Sequence, residues 1–77
     1  MTPAEAIEAL LAARRPGATI CPSEAARLLA APGREWRGEM ARIHEAAARL
    51  AGSGRISLSW RGAPMDVPQG PYRIAGA

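Results

Sequence analysis

A single amphipathic stretch, Arg34 to Gly54 (REWRGEMARIHEAAARLAGSG), occupies the middle of the chain. Successive helical residues are rotated by about 100°. On that spacing one face carries Trp36, Met40, Ile43, Ala47, Leu50 and Ala51, and the opposite face carries Gly38, Arg42, Glu45 and Arg49. The pattern predicts a helix from Arg34 to the Gly52-Ser53-Gly54 stop, packed on one side and open on the other, with ion pairs Glu45–Arg49 and Glu39–Arg42.

Two shorter helices are predicted before this stretch. The first opens with a capping box formed by Thr2 and Glu5, with proline at the first helical position, and ends at Pro16-Gly17. The second opens at Cys21-Pro22-Ser23-Glu24 and ends at Ala31-Pro32-Gly33, although a cysteine caps a helix less well than serine, threonine or aspartate. A short edge strand is expected between them, at Ala18-Thr19-Ile20.

The C-terminal third has the pattern of two strands joined by a loop. Residues Arg55 to Trp60 alternate, which places Ile56, Leu58 and Trp60 on the inner face. Arg61 to Gly70 is rich in proline and glycine and predicts a loop, and the following strand, Pro71 to Ile74, has Tyr72 and Ile74 inward. The element order predicts an α+β winged helix-turn-helix domain: three helices, a small antiparallel sheet and one wing.

Length and composition indicate the number of domains, the charge of the expected partner and the size of the core. Seventy-seven residues are enough for one domain, residues 1–77. The chain carries a net charge of +3 with arginine as its only basic residue, which supports a polyanionic partner weakly because a GC-rich coding sequence also favours arginine. The large predicted core residues are Ile7, Leu10, Leu11, Ile20, Leu28, Leu29, Trp36, Met40, Ile43, Leu50, Ile56, Leu58, Trp60, Tyr72 and Ile74.

Cys21 is the single cysteine, so neither an intramolecular disulfide nor a cysteine-based metal cluster is expected. The sequence shows neither a signal-peptide pattern nor an apolar run long enough for a membrane span, so we expect a cytoplasmic protein without membrane contact. Winged-helix repressors commonly dimerise through helices additional to the winged-helix unit. Apart from the first helix we expect none here, which favours a monomer over a dimer.

Several segments together resemble a known family. They are Pro16 to Arg27 (PGATICPSEAAR), Trp36-Arg37, Ala46 to Leu50, Gly54 to Ile56, Gly62, and Gly70 to Arg73 (GPYR). The chain resembles a family of short bacterial winged-helix proteins of unassigned function. The resemblance covers nearly the whole chain and implies the winged-helix fold, but it implies no activity.

The first functional hypothesis is nucleic-acid binding, with double-stranded DNA as the expected ligand and a transcriptional regulator or accessory factor as the expected role. The outward face of the third helix would enter the major groove and the wing would touch phosphate or minor groove. Ser23 would donate to a phosphate together with the amides at the start of the second helix. The predicted contact residues are Arg34, Arg37, Arg42 and Arg49 from the helix, Arg61 from the wing, and Ser23.

The alternative is a protein-interaction module that binds no nucleic acid. Glu39 and Glu45 lie among the arginines, and carboxylates are unfavourable beside phosphate. The proline-rich loop from Gly62 to Pro71, which contains Met65, would suit a protein partner.

Enzymatic chemistry is not expected, since a catalytic site needs a base, an orienting group and a pocket. His44 is the single histidine and is predicted to lie at the boundary of the helix stripe, while Trp36 and Trp60 are predicted to be core residues rather than base-stacking ones. A redox role for Cys21 stays open because a helix N-terminus can activate a thiol. No metal or cofactor motif is present.

Overall fold

The computed structural model describes residues 1–77 and consists of three α-helices and a four-stranded antiparallel sheet. The helices are α1 (Pro3–Ala12), α2 (Pro22–Leu29) and α3 (Met40–Gly52), and a 3-10 turn (Arg37–Glu39) precedes α3. The strands are β1 (Thr19–Ile20), β2 (Ile56–Trp60), β3 (Ala63–Met65) and β4 (Arg73–Gly76). The chain is therefore α+β, as predicted, and its element order is compatible with a winged-helix-like fold.

The starts of α1 and α2 follow the predicted capping pattern. In α1 the Thr2 hydroxyl accepts from the Glu5 amide at 3.1 Å, and the Glu5 carboxylate accepts from the Thr2 amide at 2.7 Å. These hydrogen bonds, chiefly the one from the Thr2 backbone, lower the pKa of Glu5. In α2 the Glu24 carboxylate accepts from the Cys21 amide at 2.7 Å, so this bond holds the start of α2.

The third helix begins later than the sequence predicted. The predicted start was Arg34, but α3 begins at Met40, and Arg34 and Arg37 lie outside it. Two local bonds explain the difference: the Glu35 carboxylate accepts from the Arg37 amide at 2.8 Å, and the Trp36 carbonyl accepts from the Glu39 amide at 2.9 Å. The second bond spans three residues, so it tightens the chain into a 3-10 turn rather than an α-helical one.

The inner stripe of α3 is confirmed. Ile43, Ala47 and Leu50 are buried, and Trp36, Met40 and Ala51 pack against the core from its margin. The largest fully buried side chains of the molecule are Ile7, Ile20, Ile43, Leu58 and Ile74. All five were predicted core residues, and they come from both the helices and the sheet, so one apolar layer joins the two.

Two predicted core residues are wrong. Leu28 is 42% exposed near the end of α2, and Trp60 is 37% exposed at the end of β2. Trp60 has the inward phase of its strand, but it lies at the end of β2, after the two buried residues Ile56 and Leu58, and it lines a surface cleft instead of the core. Strand phase therefore predicted its face correctly and its burial incorrectly.

The sheet has the strand order β1-β4-β2-β3, with every neighbouring pair antiparallel. The predicted edge strand is present as β1, which pairs with β4. The predicted second strand, Pro71 to Ile74, lies at Arg73–Gly76 instead, although Tyr72 and Ile74 are buried as expected. The sheet thus places the chain's last strand in its interior.

Strand β3 was not predicted, because its residues fall in the segment interpreted as a loop. It pairs with β2 through Leu58↔Met65 and Trp60↔Ala63, leaving Arg61 and Gly62 as a two-residue turn. Both turn residues have positive φ, +51° for Arg61 and +82° for Gly62, as a tight hairpin of this twist requires. Pro64 is tolerated in β3 because β3 is an edge strand.

No helix in the molecule is both long enough and apolar enough to cross a membrane.

Candidate nucleic-acid interface

The outward face of α3 carries three exposed charged residues, Arg42, Glu45 and Arg49. Arg42 forms the predicted ion pair with Glu39, with a nitrogen–oxygen distance of 2.9 Å. The predicted Glu45–Arg49 pair is wrong, because neither side chain forms an ion pair. Arg42 and Arg49 are separated by about 10 Å along the helix axis. One end of this face therefore has a neutralised arginine, and the other has an unpaired one.

Arg34 and Arg37 lie ahead of α3 rather than on it. The Arg37 guanidinium lies 3.3 Å from the Glu35 carboxylate, which also accepts from the Arg37 amide. The backbone bond is the main reason that the pKa of Glu35 is lowered. Arg34 is exposed and has no ion pair, and it shares a shallow surface depression with Arg42. Glu35 and Glu39 line the same depression, so its charge is mixed.

Trp36 joins the 3-10 turn to α2 through stacked arginines. The guanidinium carbons of Arg27 and Arg37 lie 4.6 Å and 4.7 Å from the centre of its ring. Contacts of this kind are worth about 0.5–1 kcal/mol at exposed sites. The sequence prediction did not include Arg27, because the contact depends on how α2 packs against the turn. Arg37 is thus partly committed to a structural role.

Arg61 lies at the tip of the β2–β3 hairpin. It is exposed, it forms no ion pair, and its guanidinium carbon lies 5.6 Å from the centre of the Trp60 ring. Because Trp60 lines a cleft together with Met40 and His44, the hairpin tip lies toward the N-terminal end of α3. The hairpin tip therefore lies at the same end of α3 as Arg42 but on the side of the helix that carries Met40 and His44, with Arg49 toward the other end.

Ser23 lies in the first turn of α2 and is half-buried. Its hydroxyl lies 3.1 Å from the Cys21 sulfur, which accounts for one of its hydrogen bonds. A hydroxyl can both donate and accept, so a bond to the sulfur leaves capacity for a second partner. Ser23 remains a candidate phosphate contact at a helix N-terminus.

A cleft of about 410 Å³ opens between the start of α2, the first half of α3, the end of β2 and the residues leading into β4. We call it the aromatic cleft. It is lined by Cys21, Pro22, Met40, His44, Trp60, Gly70, Pro71, Tyr72 and Arg73. The sequence did not predict it, because these residues come from separate segments that only the sheet pairing brings together.

Tyr72 and His44 form a hydrogen-bonded pair in this cleft. The Tyr72 hydroxyl lies 2.6 Å from His44 Nδ1, and the two ring centres are 5.5 Å apart with planes tilted by 54°. Burial of Tyr72, with a smaller contribution from the charge of Cys21, raises the pKa of its phenol to about 12. His44 is half-buried, so the prediction of a boundary residue is confirmed.

Four of the ten arginines form ion pairs with glutamate: Arg14 with Glu24, Arg37 with Glu35, Arg42 with Glu39 and Arg55 with Glu8. The other six have no carboxylate partner, and they include Arg34, Arg49 and Arg61. Of the predicted contact residues, these three therefore carry uncompensated charge. No three histidine, cysteine, aspartate or glutamate side chains come together in an arrangement that could hold a metal ion.

No curated protein matches the chain. The family described as "Protein of unknown function (DUF3253)" matches residues 2–76. The chain therefore belongs to the DUF3253 family, whose function is unknown.

Proposed function

We propose that this protein is a small winged-helix protein that binds double-stranded DNA, as a regulator or accessory factor. In this proposal α3 enters the major groove and the β2–β3 hairpin acts as the wing. One observation carries the proposal: Arg49 on the outer face of α3 and Arg61 at the hairpin tip are exposed arginines without a carboxylate partner.

The element order supports this assignment. Helix α2 and the 3-10 turn lead into a helix whose inner stripe is buried and whose outer face is free, and a hairpin follows that helix. The start of α2, with Ser23 in its first turn, offers backbone amides and a hydroxyl for a phosphate. Arg42 can release Glu39, because an exposed ion pair contributes little stability.

The number of proposed phosphate contacts predicts how strongly salt weakens DNA binding. Each phosphate contact lowers the logarithm of the binding constant by about 0.9 per logarithmic unit of salt. Four contacts, from Arg34, Arg42, Arg49 and Arg61, would weaken binding by about 150-fold between about 50 mM and about 200 mM salt, and three contacts by about 40-fold. Removing one arginine should thus change both the affinity and its slope.

The experiment is a fluorescence anisotropy titration of a labelled mixed-sequence duplex at these two salt concentrations. We expect Arg61→Gln to weaken binding at low salt and to reduce the salt slope by about one contact. Arg15→Gln is the matched control, since Arg15 is also exposed and unpaired but lies in the connection between α1 and β1. Absence of binding at low salt, or binding that salt does not affect, would refute the proposal.

A second candidate function is protein docking, and Glu45 is the observation that favours it. Its carboxylate is exposed between Arg42 and Arg49 and has no ion-pair partner, which suits a partner with its own basic groups better than a phosphate backbone. Pull-down from nuclease-treated lysate separates the two. A stoichiometric protein partner that survives nuclease treatment favours docking, and its loss favours nucleic acid.

A further inference from the structure

The aromatic cleft has the size and the aromatic lining of a small-molecule binding site. Its volume of about 410 Å³ lies within the range of about 300–1,000 Å³ found for small-molecule sites. Three of its lining residues carry flat π-systems, His44, Trp60 and Tyr72. Trp60 is 37% exposed, so a planar ligand can reach one of these rings from solvent.

The charge of the cleft favours an anionic ligand. Its lining includes Arg73 and contains neither aspartate nor glutamate. Arg73 donates to the side chain and the carbonyl of Thr19, at 3.0 Å and 3.3 Å, so its charge is held in place by neutral oxygens and is not cancelled. The depression beside Arg34 differs, because two glutamates line it.

Trp60 and His44 both contribute unoccupied groups to this cleft. The Trp60 ring is partly exposed in the lining, and Arg61, whose guanidinium carbon lies 5.6 Å from the centre of that ring, is not itself a lining residue. His44 uses Nδ1 for Tyr72, and its Nε2 has no hydrogen-bond partner. A planar heterocycle on Trp60 would thus find a polar atom at the edge of the cleft.

We propose that the aromatic cleft binds an unpaired nucleobase at the end of a nucleic-acid strand. The base stacks on Trp60, and Arg61 and Arg73 attract the phosphates that flank it. A base inside a duplex cannot enter, because its faces are covered by its neighbours. This inference rests on the proposed function, and it specifies a duplex end with a single-stranded overhang as the preferred ligand.

The test compares three ligands at constant low salt: a blunt mixed-sequence duplex, the same duplex with a three-nucleotide overhang, and free deoxyadenosine monophosphate. Stacking on an aromatic side chain is worth about 1–3 kcal/mol per base, so the overhang should tighten binding by at least about fivefold. In a Trp36→Phe variant, Trp60 is the only tryptophan. Its fluorescence should be quenched by the overhang duplex and not by the blunt one.

Two variants test whether Trp60 is responsible for the preference for the overhang. Trp60→Ala should abolish the preference for the overhang, measured as the ratio of the affinities for the overhang and blunt duplexes, while Trp60→Phe should retain part of the preference. Thermal unfolding checks that both variants are folded, and Trp36→Phe is the matched control that should leave the preference intact.

The outcomes separate this inference from the proposed function. Salt-dependent binding of the blunt duplex with no gain from the overhang overturns the inference alone. Binding of the overhang duplex without any binding of the blunt duplex overturns the proposed duplex recognition and supports binding of the unpaired base in the aromatic cleft. Quenching by the free nucleotide as strong as by the overhang duplex overturns the assignment to a strand end, and absence of all binding overturns both proposals.

Discussion

Alkaline titration of Tyr72 tests the packing of the aromatic cleft quantitatively. The side chain is 4% exposed, and its hydroxyl is hydrogen-bonded to His44. Burial disfavours the phenolate and raises the pKa from its ordinary value of 10.0 to about 12. Because the folded state holds the proton more tightly, this contribution to stability is fully present below about pH 10 and is lost as the pH rises through about 12.

The magnitude follows from the two pKa values. At about pH 11 the phenol is mostly ionised in the unfolded chain and mostly protonated in the folded one. The difference in proton binding lowers the free energy of unfolding by about 1.4 kcal/mol relative to about pH 9, and by about 2.7 kcal/mol once both states are ionised. The chain contains one tyrosine and no lysine, and a Tyr72→Phe variant measured at the same two pH values separates the contribution of Tyr72 from that of any other titrating group.

The assay pairs a spectrophotometric titration of phenolate absorbance with urea unfolding at about pH 9 and about pH 11. We expect a midpoint near 12 in the folded protein, and a Tyr72→Phe variant should lose the stability change across this window. The same variant should cost about 1 kcal/mol at neutral pH, because it removes the bond to His44. A midpoint near 10, with equal stability at both pH values, would refute the burial argument.

Three further predictions concern other parts of the molecule. Ile74→Ala should lower the free energy of unfolding by about 2–5 kcal/mol in urea, because Ile74 is fully buried, whereas Leu28→Ala at an exposed position should cost less than about 1 kcal/mol. Gly62→Ala should cost about 1 kcal/mol in thermal unfolding because of its positive φ, whereas Gly52→Ala in α3 should be stabilising. Glu45→Gln should tighten duplex binding by up to about fivefold in anisotropy titrations, the scale of one exposed charge pair; unchanged or weaker binding would contradict this.

Local sequence patterns predicted most of the fold. The capping box of Thr2 and Glu5 and the stripe containing Ile43 and Leu50 depend on residues three or four positions apart, and short-range spacing is what a sequence displays directly. The alternation around Ile56 likewise predicted which side of β2 is buried.

The structure differs from the sequence prediction where nonlocal packing or a single hydrogen bond determines the local conformation. The Glu35 carboxylate competes with the helix for the Arg37 amide, which moved the start of α3. Pro64 argued against a strand, but a strand at the sheet edge needs no hydrogen bond from that position. The exposure of Trp60 depends on the cleft that the end of β2 forms with α2 and α3, which spacing along the chain does not encode.

The candidate site was likewise predicted only in part. The sequence supplied the predicted arginines and the Glu39–Arg42 ion pair, but it could not show that Arg37 pairs with Glu35 or that Arg49 has no carboxylate partner. The sequence did not predict the aromatic cleft, because His44 and Tyr72 are 28 positions apart and meet only through the fold.

We propose that DNA contacts both the outer face of α3 and the hairpin tip. The most direct measurement is an NMR titration of the isotopically labelled protein with a mixed-sequence duplex. We expect amide shifts at Arg42, Arg49 and Arg61 that weaken together as salt is raised. Shifts confined to α1, or a spectrum that does not change at low salt, would contradict the claim.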